Sequence, residues 1–280
     1  MGALDAKNRR NLVLRVASAL VLFPIAVWFT FLGGLPFGLL AGAAAAVAAT
    51  ELVLMFGGIG VAEAFGIVVA GAIPFTAAFG ERRQLLPDWF AVALAGATVV
   101  LLTAFLFRKE PLERLPRAAA IVVLSWLWCG LLVATLVAVR VRFGVGWVIL
   151  AFVVTWANDT AAYFTGHAIG RHKLFERISP KKTWEGFLGG VAGSVAGALV
   201  VRALLLQESL GVPQAVAVGV GAAILGPLGD LAESMVKRAA GVKDSGRTIP
   251  GHGGLLDRID ALLFVAPWVY ACAGWLGRAP

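Results

Sequence analysis

The chain opens with MGALDAKNRRNLVLRVASALVLFPIAVWFTFLGGL, residues 1–35, in which a basic head runs into a long apolar stretch. A secretory leader has an apolar core of about 7–15 residues followed by a small-residue cleavage site. Here the apolar run continues through PIAVWFTFLGGL without such a site, which predicts a retained first helix that also directs insertion. A myristoylation signal is excluded at Ala6, where Ser or Thr is required.

Runs of the same kind recur along all 280 residues. The chain is 60% hydrophobic with a mean hydropathy of +0.87, too apolar for a soluble domain with one core. Crossing a hydrocarbon layer of about 30 Å takes roughly 20 apolar residues in a helix. The expected spans are 16–35, 37–56, 59–79, 89–107, 118–139, 145–165, 186–206, 212–231 and 261–276. These runs are continuous and do not alternate with period two, so spanning strands are not expected. The expected class is an all-α polytopic integral membrane protein with about nine transmembrane helices and cytoplasmic catalytic loops. Cys129 and Cys272 lie in separate apolar runs and read as small buried hydrophobes.

The net charge of +8 is unevenly distributed. With Lys7, Arg9 and Arg10 in the cytoplasm, nine spans assign every loop to a side. Seventeen Lys and Arg then fall inside: the three at the N-terminus, Arg108, Lys109, Arg114, Arg117, five in 166–185 and five in 237–258. Five fall outside, Arg82, Arg83, Arg140, Arg142 and Arg278, which is the positive-inside pattern. The protein is therefore expected in the cytoplasmic (inner) membrane, with its N-terminus and active site on the cytoplasmic side. Topology and attraction to anionic headgroups account for the loop 108–117.

Two regions are expected. Residues 1–140 read as N-terminal transmembrane helices forming a scaffold, with a lipid groove and dimer contacts expected there, and with Glu51 and Glu63 near span ends, where a carboxylate reaches water or headgroups and serves structure. The stretch AGAAAAVAAT allows close helix contact. Residues 141–280 read as the catalytic region, with cytoplasmic loops 166–185 and 237–258. Gly189, Gly193 and Gly197 recur every four residues and predict a helix-packing face.

In KRAAGVKDSGRTIPGHGGLLDRID, residues 237–260, eight of 24 residues are charged, against 14% in the chain. Just before it, Asp230, Glu233, Ser234 and Lys237 at i, i+3, i+4 and i+7 predict one polar helix face; Asp257 and Asp260 share another. Carboxylates at neighbouring helix ends suit Mg²⁺, which commonly takes one or two of them together with water and substrate phosphate. Helix-end ion pairing is the plainer alternative. Gly246, Pro250, Gly251, Gly253 and Gly254 predict a loop whose backbone N–H groups approach an anion, with Lys237, Arg238, Lys243, Arg247 and Arg258 around it. Metal, cations and amides together suit phosphoryl or nucleotidyl transfer. No Walker A sequence is present. His252 either contacts phosphate or braces the glycine turn. Upstream, Asn158 and Asp159 are expected to end a span, Gly166 and Gly170 to loosen the chain, and Ser179, Lys181, Lys182, Thr183 and Glu185 to bind an anion. Asp159 is a further ligand or an outer acid.

These residues resemble a known family. Ser234-x-x-Lys237-Arg238, Lys243-Asp244, Pro250-Gly251-His252-Gly253-Gly254 and Asp257-Arg258-x-Asp260 are similar, in order and spacing, to the signature of phosphatidate cytidylyltransferases, or CDP-diacylglycerol synthases. SPKKTWEG at 179–186 resembles a second feature of that family. The likeness is specific over about 158–260, whereas the first half matches only as membrane helices.

The resemblance implies the reaction CTP + phosphatidate → CDP-diacylglycerol + pyrophosphate, with Mg²⁺ and a second, monovalent cation, in a homodimer at the cytoplasmic membrane surface. It implies Asp230, Asp257 and Asp260 as metal ligands; Asp230, Lys237 and Asp257 as catalytic; and Ser234, Lys237 and Arg258 on phosphate. The substrate-binding set expected overall is Ser179, Lys181, Lys182, Thr183, Ser234, Arg238, Lys243, His252, Gly253, Gly254 and Arg258. The rival readings are a CTP-dependent kinase or transferase acting on another lipid, and a transporter using Asp159 and Asp230. The transporter reading is weakened because no internal pseudo-symmetry is evident and the acids lie at one face. No nucleic-acid role is expected, since topology and the loops explain the pI of 10.1.

Overall fold

The computed structural model describes residues 2–79, 87, 89–109 and 111–277, with residues 2–13, 15 and 19 described in backbone only. Arg82, Arg83 and Arg278, and the side chains of Lys7, Arg9 and Arg10, lie outside this description. The topology reading that used them therefore rests on sequence.

The membrane-length runs fold as helices because a helix satisfies every backbone N–H and C=O within itself, as hydrocarbon requires. In chain order these are α1 (Gly2–Leu32), α2 (Gly34–Phe56), α3 (Val61–Ala77), α4 (Trp89–Leu106), α5 (Leu115–Ser125), α6 (Leu132–Phe143), α7 (Val145–Ile169), α8 (Trp184–Leu205), α9 (Val212–Ala239) and α10 (Leu256–Trp275). A π-helical turn, Trp126–Leu131, joins α5 to α6 into one continuous helical stretch; there the Leu132 N–H donates to Leu127 O, five residues back. Trp126 in that turn donates its indole N–H to Gly66 O of α3, 2.9 Å away. Among the described residues, six helical stretches are long and apolar enough to cross a membrane: Gly34–Phe56, Trp89–Leu106, Leu112–Phe143, Val145–Ile169, Trp184–Leu205 and Val212–Ala239. By length and composition these fit an all-α membrane protein.

Small residues set the closest packing. Ala45, Ala48 and Ala49 of the alanine-rich stretch are fully buried. A Cβ on Gly42 would lie 2.6 Å from Gly71 O, so the backbones of α2 and α3 touch. The expected face on α8 packs against α7 in the same way: a Cβ on Gly193 would meet Ala157 O at 2.6 Å and Ala161 Cβ at 2.5 Å.

Several boundaries differ from the sequence reading. Asn158 and Asp159 do not end a span, because α7 runs on to Ile169. The Asn158 side chain is buried against the helix surface at Gly190, which leaves it no reason to break the helix. Gly166 does not loosen the chain either; it stays helical where a Cβ would crowd Thr183 Oγ1 at 3.1 Å. The polar segment after α7 is not an open loop. It forms an antiparallel hairpin of β1 (Lys173–Phe175) and β2 (Ser179–Thr183). At the other end, α9 continues past 231 to Ala239, so the expected polar face is built on two further helical turns.

Candidate active site

Three helices and the loop after α9 meet at one polar cavity of about 380 Å³. Asp159 comes from α7; Asp230, Glu233, Ser234, Lys237 and Arg238 from α9; Lys243 and Asp244 from the following loop; and Asp257, Arg258 and Asp260 from α10. Six carboxylates thus face four cations in the lining. The i, i+3, i+4, i+7 spacing on α9 and the i, i+3 spacing on α10 aim these groups at a common space, as expected.

Lys237 is the electrostatic hinge. Its ammonium donates to Asp257 Oδ1 at 2.6 Å and pairs with Glu233 one turn back. Glu233 is fully buried, and apart from that charge pairing its oxygens accept no hydrogen bond. A buried acid so poorly served is a costly group, held in place by its counter-charge. Lys182 reaches across from β2 to Asp230 Oδ2 at 2.8 Å and to Pro227 O at 3.2 Å, latching the hairpin onto α9. Ser234 Oγ donates to Asp230 Oδ1 at 3.3 Å.

Oxygens of Asp230, Glu233 and Asp260 all lie within 4.8 Å of one another. Three hard oxygen donors at that spacing, with an under-satisfied buried carboxylate among them, fit a hard divalent cation. Asp257, by contrast, has both oxygens engaged by the protein. Besides Lys237 on Oδ1, its Oδ2 accepts from the backbone N–H of Ser245 at 3.0 Å and of Gly254 at 2.9 Å. Asp257 precedes the apolar run of α10 that starts at Ala261. Burial alone would raise its carboxyl, but the Lys237 ammonium, the neighbouring Glu233 and the Gly254 N–H together prevail and hold it at about 2.

The glycine loop is organised from inside. Pro250-Gly251, with Gly251 at φ +78°, makes the sharp turn that His252 N–H closes on Ile249 O at 3.0 Å. Glu51 of α2 then receives four hydrogen bonds from the same loop. They come from Ser245 Oγ (2.9 Å), Thr248 Oγ1 (2.5 Å), Leu255 N (2.8 Å) and Leu256 N (2.9 Å). Leu255 and Leu256 begin α10, so a carboxylate from the first half of the chain caps that helix. Glu51 is 3% exposed, and the expectation that it reaches water or headgroups is overturned: the loop covers it.

Of the glycine-loop backbone, the Gly254 N–H is taken by Asp257. The neighbouring N–H groups of Ser245, Leu255 and Leu256 are likewise taken, by Asp257 and Glu51. Side-chain cations also face the cavity. Lys243 lies in the lining with Arg238 and Arg258. Arg258 also donates twice to His252 O, at 2.9 and 2.6 Å. Of the two roles left open for His252, the structure displays bracing: its Nδ1 lies 2.9 Å from Ser18 Oγ of α1. Gly253, at φ +86°, keeps the turn open beside Asp257.

The hairpin residues divide. Lys182 reaches the cavity edge, while Ser179 and Lys181 stay outside the lining. Thr183 is the N-cap of α8, accepting from Gly186 N–H at 3.1 Å. Glu185 accepts from His172 and the N–H of Arg171, closing the hairpin base. Elsewhere, Glu63 pairs with Arg108 and takes the Gly60 N–H at 3.0 Å, so Arg108 does more than set topology.

The sequence reading missed Glu51, Ser245, Thr248 and Ser18 as site supports, and it did not count Glu233 among the metal ligands. An acid inside an apolar run was the available signal for Glu51. Nothing local signals Ser18 or Thr248, whose partners lie about two hundred residues away.

A family model described as the cytidylyltransferase family matches residues 13–275. A protein called phosphatidate cytidylyltransferase in Brucella suis biovar 1 (strain 1330) is 36% identical over 274 residues, covering 93% of this chain and 92% of the relative. One of the same name in Bacillus subtilis (strain 168) is 30% identical over 266 residues, covering 91% and 95%. Another, in Staphylococcus epidermidis (strain ATCC 12228 / FDA PCI 1200), is 44% identical over 124 residues, covering 44% and 47%.

Proposed function

The chain belongs to the cytidylyltransferase family, and from that premise and its site we infer an integral membrane enzyme that transfers the cytidylyl group of CTP to phosphatidate. The products are CDP-diacylglycerol and pyrophosphate. The observation that carries the reading is the cavity between α9 and α10, where the signature residues meet as a cluster of carboxylates and cations, a lining that suits a polyphosphate together with a divalent cation.

The nucleophile is a phosphate monoester oxygen of phosphatidate, which forms a bond to the α-phosphorus of CTP as the bond to pyrophosphate breaks. With a second pKa of about 6, the monoester is already anionic near neutral pH and needs no strong base. The burden is to bring two polyanions together and to stabilise charge on the leaving pyrophosphate. Arg238, Lys243 and Arg258 are suited to hold the nucleotide phosphates. Lys237, held between Glu233 and Asp257, presents a fixed positive centre, and Lys182 brings a further one from the hairpin.

We propose that Asp230, Glu233 and Asp260 hold Mg²⁺, with Asp159 beside them and Asp257 fixing the loop. When bound, the ion would supply neutralisation of phosphate charge. The protein's part is to orient the triphosphate and to keep Lys237 charged and in place. We also propose about nine spans with the N-terminus and site cytoplasmic, supported by the positive-inside distribution and by CTP being a cytoplasmic nucleotide.

The deciding assay gives purified protein Mg²⁺, phosphatidate and CTP labelled in its α-phosphate. Label in the lipid phase from the wild type, and none from Asp257→Ala, is expected. Absence of that label, together with transfer from γ-labelled CTP to a lipid alcohol, would replace the reading with a lipid kinase.

A further inference from the structure

Beside the polar cavity lies a second one of about 400 Å³, between α2 and the loop 242–248. Its character is opposite. Val47, Leu54 and Met55 of α2 and Val242 of the loop make its walls. Leu54 is half-exposed, so the groove opens along the outer side of α2. Glu51 lines it too, but that carboxylate is engaged by Ser245, Thr248, Leu255 and Leu256.

Two features mark the groove's ligand. Arg247 lines it and is exposed, and among the described residues it makes no ion pair or hydrogen bond. Asp244 lines both cavities, so the apolar groove and the polar site share a wall. An apolar trough with one unpaired cation, adjoining a polyphosphate site, has the chemistry of an anionic lipid. A nucleotide triphosphate would find one cation here against four next door. The volume is that of a small-molecule site, too small for two whole acyl chains, whose distal parts would stay in the bilayer.

We propose that this groove seats the lipid substrate, which deepens the proposed activity and rests on it. The glycerol and first acyl methylenes lie on Val47, Leu54 and Met55. The phosphate lies towards Arg247, on the side where the groove adjoins the polar cavity. Arg247 and Leu54 are then specificity residues for the lipid and not for the nucleotide.

The test uses full-length protein in lipid nanodiscs. Arg247→Gln removes the cation, and Leu54→Trp fills the trough. Each is expected to raise the KM for phosphatidate about tenfold, the scale of one lost charge-assisted contact, with the KM for CTP within about twofold of wild type. Leu54→Trp should also shift preference towards shorter acyl chains. Independently of turnover, phosphatidate carrying a diazirine near its acyl carboxyl end should label residues 47–55 of the wild type on illumination. Active variants with unchanged lipid KM and chain preference would overturn the assignment, as would labelling confined to other helices. Wild-type protein that labels at 47–55 yet makes no CDP-diacylglycerol would keep the groove and sink the activity. Product formation without that labelling would sink the groove alone.

Discussion

Glu51 accepts a hydrogen bond from the backbone N–H of Leu256, 205 residues further along the chain, at 2.9 Å. Its other oxygen takes the Leu255 N–H at 2.8 Å, so one side chain of α2 fixes where α10 starts. Asp257 and Arg258 lie in the first turn of that helix, and their placement depends on this junction.

Replacing Glu51 should therefore disable the enzyme from outside its signature. Glu51→Ala leaves two hydroxyls and two amides without their acceptor, at a cost of about 3 kcal/mol or more. Turnover should fall about 10²-fold through misplacement of the α10 residues. Glu51→Gln keeps an acceptor of the same size and should fall between. Hydrogen exchange at Leu255 and Leu256 should speed up in step with lost turnover; unchanged exchange with lost turnover would show another cause.

The acids around the cavity should separate by titration with Mg²⁺. Asp230→Asn and Asp260→Asn are expected to raise the half-saturating Mg²⁺ concentration about tenfold or more. Asp257→Asn should lower kcat with Mg²⁺ dependence near that of wild type, since its oxygens serve Lys237, Ser245 and Gly254. The reverse pattern would make Asp257 the ligand and Glu233 the brace.

Lys237→Met strands Glu233 and Asp257 as neighbouring acids, and breaking such a buried cluster costs about 3–5 kcal/mol. Activity should vanish, and Lys237→Arg should not restore it, because a planar guanidinium cannot replace a compact ammonium between two carboxylates. Lys182→Ala is the contrasting case. Its ion pair is partly exposed, so stability should change by less than about 1 kcal/mol while turnover drops. Thermal melting alongside the assay separates the two.

Gly193→Ala should cost about 1–3 kcal/mol, since the added methyl runs into α7 at Ala157 and Ala161. Gly96→Ala on α4 is the control, with nothing within 4 Å of an added Cβ. Equal melting temperatures for both variants would refute the account of α7–α8 packing.

The membrane class and the charged faces on α9 and α10 were legible because helical periodicity and hydropathy are local properties. Spacing alone put Asp230 and Lys237 on one helix face and Asp257 and Asp260 on another; their roles came from the family resemblance. What could not be read was which donor meets which acceptor across the bundle. The glycines of 246–254 suggested amides turned towards a ligand, and only the fold reveals that Asp257 takes the Gly254 N–H while Glu51 takes those of Leu255 and Leu256 just beyond. The hairpin was missed for a similar reason: Lys182 and Thr183 look alike as polar neighbours, yet one latches onto Asp230 and the other caps α8. Asn158 was read as a helix stop because its burial depends on Gly190, on another helix.

Seen in time and not in space, the Glu51 clamp also orders how the molecule is made. At about 5–20 residues per second, a ribosome needs about 10–40 s to travel from Glu51 to Leu256. Throughout that interval α2 carries an acid whose partners do not yet exist, and a bare carboxylate is costly in hydrocarbon. On this account the newborn helix holds Glu51 at the water interface until the loop 245–256 arrives. A chain cut short before that loop lacks these four donors and keeps an unsatisfied carboxylate in α2.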